Sequence, residues 1–325
     1  GKSELVKKNS ANQTNSGLER DYITQWSYGI GETWTLLIPN AKGGASVPLA
    51  SNETAMKKAD PQFMQVYEQL GQYWGNQPGT SGPVYVGAFV LMLFILGLFI
   101  VKTPMKWALL AATILSILLS WGRNFMPLTD FFIDYVPMYA KFRTVASILV
   151  IAEFTIPLLA VMALKTLIEE KEALKQNMRY VYISFGLTAG VALLFALAPS
   201  LFFSSFISDA EMQALKNIPA EYLSPLMANL TQMREAMFSA DCYRTVFIIV
   251  IGTALLVLYR YNKLKANVMV VIIAALCLVD MWMVNKRYLN DAMFVERSVR
   301  DNEPEMSNTD KIILQDKSLD YRVLN

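Results

Sequence analysis

The sequence predicts an all-α, multi-pass membrane protein with about six transmembrane helices, helical outer loops and the start of an outer C-terminal domain. Hydrophobic residues make up 54% of the 325 residues and charged residues only 17%, which is too apolar for a soluble chain of this length. The apolar residues gather in long blocks, as membrane-spanning segments require. Helices are expected, because open strands cannot satisfy their backbone hydrogen bonds in lipid.

Six apolar stretches are the predicted spans, and they cover residues 84–101, 107–121, 144–166, 180–198, 245–260 and 267–284. The second and fifth are short, so their boundaries could move by several residues. The expected organisation is an outer region 1–83, a transmembrane bundle 84–284 that carries an outer helical loop 200–243, and the start of an outer domain at 285–325. Within the outer region, Pro61 is expected to introduce a short helix over 61–71.

Lysine and arginine are densest in the short first, third and fifth connections between the predicted spans. These cations are Lys102 and Lys106, then Lys165, Lys171, Lys175 and Arg179, then Arg260, Lys263 and Lys265. Short cation-rich loops face the cytoplasm in most membrane proteins. Residues 1–83, both long connections and the tail after about 285 are therefore predicted to lie outside.

Composition excludes several chemistries. The chain has no histidine, which rules out Ser-His-Asp and Cys-His catalysis and any histidine-ligated zinc or haem. Cys242 and Cys277 are too few for a four-cysteine metal site, and we predict no metal. No basic tract suggests nucleic acid as a partner. Gly1 opens the chain without a Met or an apolar signal, and the final YRVLN (321–325) reads as a strand start, so a piece of a longer protein is expected.

Glu153 is a carboxylate inside the third predicted span. Arg143 and Lys165 are 22 residues apart, about 33 Å along a helix, which places Glu153 near mid-depth. An acid there costs about 2.5–3.5 kcal/mol on insertion, so it should face protein or water. Pro157 has no N–H to donate to the Glu153 carbonyl, which weakens the helix at this point. A protonated glutamate bonded to a neighbouring helix, a lining residue of a polar cavity and proton coupling all fit.

Three cations precede or open the third span on its predicted outer side. Arg123, Lys141 and Arg143 lie in an aromatic-rich segment that could rest in the membrane interface. Arginine forms bidentate hydrogen bonds to phosphate, so these residues are candidates for binding an anionic lipid head. Snorkelling at a helix end and Arg–Asp pairing within the loop are the alternatives.

Three aspartates complete the candidate residues of a polar cavity. Asp130 and Asp134 are four residues apart, so they share a face of a helix, where they could bind a cation, act as a base or simply be solvated. Asp280 lies near the outer end of the sixth span and is expected to pair with an arginine or lysine across the bundle. The GLTAG stretch, Gly186 to Gly190, fits a small-xxx-small helix contact.

Four stretches together resemble YfhO-type bacterial integral membrane proteins. They are RDYITQWSYGIGETWTLLIPNAKGG (20–44), YWGNQPGTSGPVYVGA (73–88), VPMYAKFRTVASILVIAEFTIPLLA (136–160) and SLDYRVLN (318–325). The most specific element of the resemblance is the run Pro137, Lys141, Phe142 and Arg143.

The resemblance implies a membrane glycosyltransferase of the bacterial cytoplasmic membrane. Such an enzyme moves a sugar from a polyprenyl-phosphate donor, its lipid-linked substrate, to an envelope polymer on the outer face. The resemblance also implies a catalytic acid in an outer loop before residue 1, so no residue here is predicted to be catalytic. A transporter or flippase of a lipid-linked or polymer substrate and a non-catalytic envelope assembly protein are the rivals.

Overall fold

A computed structural model describes residues 12, 14, 17–170, 172–203, 205–216, 218–294, 296 and 306–315. Within these residues the regular structure is helical and there is no strand, apart from a single bridge between Pro48 and Gly71. The predicted all-α class is therefore confirmed. The strand start expected at 321–325 lies outside the described residues. The chain divides into two compact units, Gly1–Val284 and Asn285–Asn325.

The main helices lie in the first unit, and the last of them runs four residues into the second. They are α1 (Ala88–Ile100), α2 (Met105–Ser120), α3 (Met126–Tyr135), α4 (Val150–Glu169), α5 (Met178–Leu197), α6 (Asp209–Leu215), α7 (Ala220–Arg260) and α8 (Ala266–Tyr288). Gly186–Gly190 within α5 is π-helical.

Shorter helical segments connect these helices, build the region before α1 and follow α8. The α-helical ones are Arg20–Ile23, Glu53–Met56, Met64–Tyr67, Ala173–Gln176, Pro199–Phe202 and Asn308–Ile313. The 3₁₀ segments are Ile30–Leu36, Leu49–Ser51, Pro61–Phe63, Gly122–Phe125, Tyr139–Lys141, Val145–Leu149 and Asp291–Met293. Pro61 opens its segment at the first helical position, as the sequence predicts, and the Asp60 side chain caps it. The helical residues end at Tyr67 rather than at 71.

In the part of the chain that the structure describes, four helical segments are long and apolar enough to cross a membrane, namely Val145–Glu169, Met178–Leu197, Ala220–Arg260 and Ala266–Tyr288. A fifth exists if α2 and the segment Gly122–Tyr135, which are bent by 109° at their break, form one broken span. At 13 residues, α1 is about 20 Å long and falls short of a bilayer core of about 30 Å. The structure thus supports a membrane protein with four or five candidate spans, whereas the sequence predicts about six.

Two predicted boundaries are wrong for local reasons. Helix α1 begins at Ala88 rather than at 84, because Gly87 has a φ of 97°, which an α-helix does not tolerate. The loop 200–243 is not a cap separate from the fifth span, because α7 is one helix of 41 residues that continues into it. The loop also contains the separate helix α6, and Ser208 and Glu211 form a capping box at its start.

The core of the first unit is continuous through α1, α4, α5 and α7. A Cβ atom added at Gly252 of α7 would collide with the Phe89 ring, and one at Gly97 of α1 would lie 2.9 Å from Leu159. These glycines therefore allow the close approach of α1 to α7 and to α4. The GLTAG segment does lie against α7 and α1, and Thr188 and Ala189 are its buried residues. The two glycines are not at this contact, since no described atom lies within 4 Å of a Cβ built at Gly186 or Gly190.

Candidate functional site

Helix α7 presents two different faces in the part that precedes the predicted fifth span. One face is buried in the core and carries Leu230, Met233, Arg234, Met237, Phe238 and Asp241. The other face lines an open cleft with Gln232, Glu235, Ala236 and Ser239. Spacings of three, four and seven residues keep these four side chains on one side of the helix. The same helix therefore holds the core together and exposes a polar wall.

The cleft has a volume of about 280 Å³, and its other walls are Lys58 and Pro199. Asn229, one turn before the cleft face of α7, fixes the Lys58 wall. Its side-chain oxygen accepts hydrogen bonds from the Asp60 N–H at 3.0 Å and the Tyr67 hydroxyl at 2.6 Å. Its amide N–H donates to the Lys58 carbonyl at 2.9 Å. The segment around residues 58–67 is thereby held against α7, and the cleft is built by packing on both sides.

Glu235 is the one carboxylate among the described lining residues of this cleft. It is half-buried, and it forms no hydrogen bond or ion pair with any residue that the structure describes. A carboxylate without a partner can accept a proton from a bound hydroxyl group. Gln232, Ser239 and Lys58 also line the cleft, and their side chains carry an amide, a hydroxyl and an ammonium group. These lining residues suit a ligand that carries both hydroxyl groups and an anionic group.

A second polar centre lies in the region before α1, around Glu32. This carboxylate is 2% exposed, and it accepts hydrogen bonds from the Tyr73 hydroxyl, the Gly29 N–H and, at 3.1 Å, the Asn76 N–H. The cavity beside it has a volume of about 10 Å³, enough for about one water molecule. The centre therefore fits a structural role, in which one buried acid joins residues 29–32 to residues 73–77.

Lys42 lines the same small cavity. Burial holds the pKa of its amine below the ordinary 10.5; the charge of Glu32 opposes this shift and the charge of Arg234 adds to it. The amine also lies 5.9 Å from the centre of the Phe203 ring. Lys42 is therefore a cation in a poorly solvated position, and its protonation is coupled to the folded state.

Arg234 is the largest fully buried side chain, with 0% exposure. Its guanidinium donates to both carboxylate oxygens of Glu211, at 2.9 and 2.5 Å, and to the carbonyls of Phe206 at 2.8 Å and Gly71 at 2.6 Å. It also lies 5.3 Å from the centre of the Trp74 ring. One residue of α7 thus fixes α6, the segment before it and the region before α1 in a single network.

Asp130 and Asp134 share a face of α3, as the sequence predicts, and Arg20 lies between them. The two nitrogens of its guanidinium each contact one of the carboxylates at 2.6 Å. The cation that these acids bind in the structure is therefore an arginine from the segment before α1. Among the residues that the structure describes, no three Asp, Glu or Cys side chains cluster so as to hold a metal ion.

The three predicted phosphate-binding cations, Arg123, Lys141 and Arg143, are all exposed. The Arg143 guanidinium donates to the Tyr22 hydroxyl at 2.7 Å, and Arg123 donates to the Gln25 carbonyl. The structure does not place them in the Glu235 cleft, whose lining residues are others. Arg123 and Arg143 therefore both contact the segment that carries residues 20–28, and the exposed Lys141 precedes Arg143 by two residues.

Glu153 is exposed in the structure, whereas Asp280 is buried. Glu153 is in the first turn of α4, and it lies eight residues after Val145 and four residues before the middle of the candidate span Val145–Glu169, so its position near mid-depth stays a prediction. It is exposed on the surface of the bundle rather than facing an internal cavity. Asp280 is 2% exposed and forms an ion pair with Arg244 of α7, so the predicted pairing across the bundle is confirmed.

Sequence reasoning did not select Glu235, Glu32 or Arg234. The sequence contains only a weak signal for the first: polar residues at 232, 235 and 239 repeat at helical spacing, but Asn229, Thr231 and Arg234 lie among them. Comparison of the chain with protein-family models, with curated proteins and with solved structures finds no match. The resemblance to YfhO-type proteins therefore stays a prediction.

Proposed function

We propose that this chain is a membrane glycosyltransferase that moves a sugar from a polyprenyl-phosphate donor to an envelope acceptor at the outer face of the bacterial cytoplasmic membrane. One observation carries the proposal: an unpaired, half-buried carboxylate, Glu235, lines an open cleft together with a lysine, an amide and a hydroxyl. The loop charges predict that this cleft lies outside. Glu235 precedes the predicted fifth span by ten residues, or roughly 15 Å of helix, which a lipid-linked sugar can reach.

The lining residues have defined tasks in this reaction. The acceptor hydroxyl oxygen attacks the anomeric carbon, and the bond between that carbon and the phosphate oxygen breaks. The polyprenyl phosphate leaves with the electron pair, and the hydroxyl proton passes to Glu235. Lys58 stabilises the negative charge that develops on the leaving phosphate. Gln232 and Ser239 hold the sugar hydroxyls by hydrogen bonds.

Sugar transfer in liposomes tests the proposal. The protein is reconstituted with a polyprenyl-phosphate-linked radiolabelled hexose and a cell-envelope fraction, and label in the envelope polymer is counted. Glu235→Gln should lower transfer by about 100- to 10,000-fold, the range for loss of a general base. Glu221→Gln removes an exposed carboxylate from the first turn of the same helix and should leave transfer unchanged. Full transfer by Glu235→Gln would refute the assignment.

A transporter is the second candidate, and the irregular helices favour it. Pro157 interrupts the hydrogen bonding of α4, and α5 is π-helical at Gly186–Gly190. Such breaks free backbone groups inside a membrane and are common at functional positions. Movement of the labelled lipid across the bilayer in the same liposomes, without transfer of its sugar, would favour the transporter over the enzyme.

A further inference from the structure

A second large cavity lies at the C-terminal end of α7, whereas the Glu235 cleft lies near the middle of that helix. It has a volume of about 360 Å³, and it is lined by Glu172, Leu174, Lys175, Tyr259, Arg260 and Asn262. Two connections therefore build it, the one that follows α4 and the one that joins α7 to α8. Both connections begin where an apolar helix ends, so the cavity lies at the level of a membrane interface.

The charge of this cavity is positive. Glu172 is one acid against two cations, Lys175 and Arg260, among the lining residues, and it forms a partly exposed ion pair with Lys175 at 2.8 Å. The Arg260 Nε atom is buried and has no hydrogen-bond partner among the residues that the structure describes. The guanidinium as a whole forms no hydrogen bond or ion pair with any described residue, so an anionic oxygen in the cavity would be its first charged partner. Lys263 and Lys265, both exposed, follow in the same connection and add to the positive field.

Aromatic residues indicate that the anion belongs to a lipid. Tyr259 lines the cavity, and the Arg260 guanidinium lies 5.5 Å from the centre of the Tyr261 ring. Tyrosine is enriched at the level of lipid headgroups, and basic pockets between membrane helices bind anionic headgroups. Leu174, which is 2% exposed, supplies an apolar floor.

We propose that this cavity binds the phosphate headgroup of an anionic phospholipid, with Arg260 as the main ligand and Lys175 beside it. The loop charges predict that the lipid comes from the cytoplasmic leaflet. The proposal does not depend on the sugar-transfer reaction, because the two cavities share no lining residue.

Lipid retention and thermal stability together test the site. The protein is purified in mild detergent and titrated with phosphatidylglycerol, with phosphatidylcholine or with inorganic phosphate. Bound lipid is counted by native mass spectrometry, and the unfolding temperature is measured in parallel. The wild type should bind phosphatidylglycerol at least tenfold more tightly than phosphatidylcholine and should gain stability only with the former.

Arg260→Gln should weaken phosphatidylglycerol binding about tenfold, as expected for loss of one charge-assisted hydrogen bond. Arg179→Gln is the matched control, because Arg179 lies 4.6 Å from the Tyr180 ring but does not line the cavity, and it should bind like the wild type. If Arg260→Gln does not fold, Lys175→Gln should show a smaller loss of the same kind. Equal binding by all variants, or equal stabilisation by inorganic phosphate, would overturn the proposal.

Discussion

Arg244 of α7 and Asp280 of α8 form an ion pair whose side chains are only 12% and 2% exposed. The Asp280 carboxylate also accepts hydrogen bonds from the Tyr85 hydroxyl at 2.9 Å and from the Ala88 N–H at 3.0 Å. One acid therefore joins α8, α7 and the start of α1. These contacts matter most for α8, because only 22% of the residues in its apolar 18-residue stretch are buried. The corresponding share is 39% for each of the other three single candidate spans.

Asp280→Ala should destabilise the protein by about 3–5 kcal/mol, since it leaves Arg244 buried without a counter-charge. The double variant Arg244→Met with Asp280→Leu should recover most of this loss, because no uncompensated charge then remains. Both are measured as free energies of unfolding in detergent micelles. The exposed pair of Lys102 and Glu170 is the control, and Lys102→Gln should cost at most about 1 kcal/mol. A single variant as stable as the wild type would contradict the structural role of the pair.

Arg234→Met should loosen α6 and the segment before it more than it loosens the spans. The substitution keeps much of the side-chain volume but leaves the Glu211 carboxylate and two backbone carbonyls without their donor. We expect a loss of about 3–5 kcal/mol in the stability of this network. Limited proteolysis should show faster cleavage between residues 203 and 216, and Glu235→Gln, one residue away on the other face of α7, should not. Unchanged cleavage in Arg234→Met would show that the buried arginine is dispensable.

The fold class and much of the span map follow from the sequence because they depend on apolar composition, which is local. The lengths of α1 and α7 do not, since they depend on the backbone at Gly87 and on helical continuity through residues 220–244. The buried ion pairs illustrate the same limit. Asp280 could be predicted to pair, but Arg234 and Glu211 are 23 residues apart and meet only after folding.

The candidate site shows most clearly that contacts made only after folding are not predictable from local sequence. Arg123, Lys141 and Arg143 stand out in the sequence because cations beside an apolar span are conspicuous. Glu235 does not stand out, since its sequence neighbourhood is an ordinary mixed helix. Glu235 becomes a candidate only because it lines a cleft. Asn229 holds one wall of that cleft in place through hydrogen bonds to residues 58–67. No local pattern encodes that packing.

Stability should depend on pH through Lys42. The pKa of its amine is lowered by burial, so between that pKa and 10.5 the unfolded chain binds more protons than the folded one. Stability from this group therefore rises with pH across that window, and the cost of burying the charge is fully present below it. The free energy of unfolding of the wild type relative to Lys42→Met should increase as the pH rises from 7 towards 10.5. A constant difference between the two proteins would show that Lys42 does not titrate with folding.

The exposed cations should act on donor binding rather than on the chemical step. If Lys141 and Arg143 bind the lipid phosphate equally in the ground and transition states, replacing both by Ala should raise KM for the polyprenyl-phosphate sugar about tenfold and leave kcat unchanged. Tyr22→Phe removes only the hydroxyl that Arg143 contacts and should change neither constant. Lys57→Ala, at another exposed cation, is the charge control. An unchanged KM in the double variant would exclude phosphate binding at this surface.

Membrane orientation can be tested with single cysteines in a background where Cys242 and Cys277 are replaced by Ala. Thr103→Cys lies in the exposed turn between α1 and α2, which the loop charges place in the cytoplasm, and Val47→Cys lies at an exposed position of the predicted outer region. An impermeant maleimide should label Val47→Cys on intact spheroplasts and should label Thr103→Cys only after permeabilisation. The reverse labelling pattern would show that the chain crosses the membrane in the opposite orientation. It would place the Glu235 cleft in the cytoplasm, where an outer-face transfer reaction cannot use it, and the Arg260 cavity in the outer leaflet.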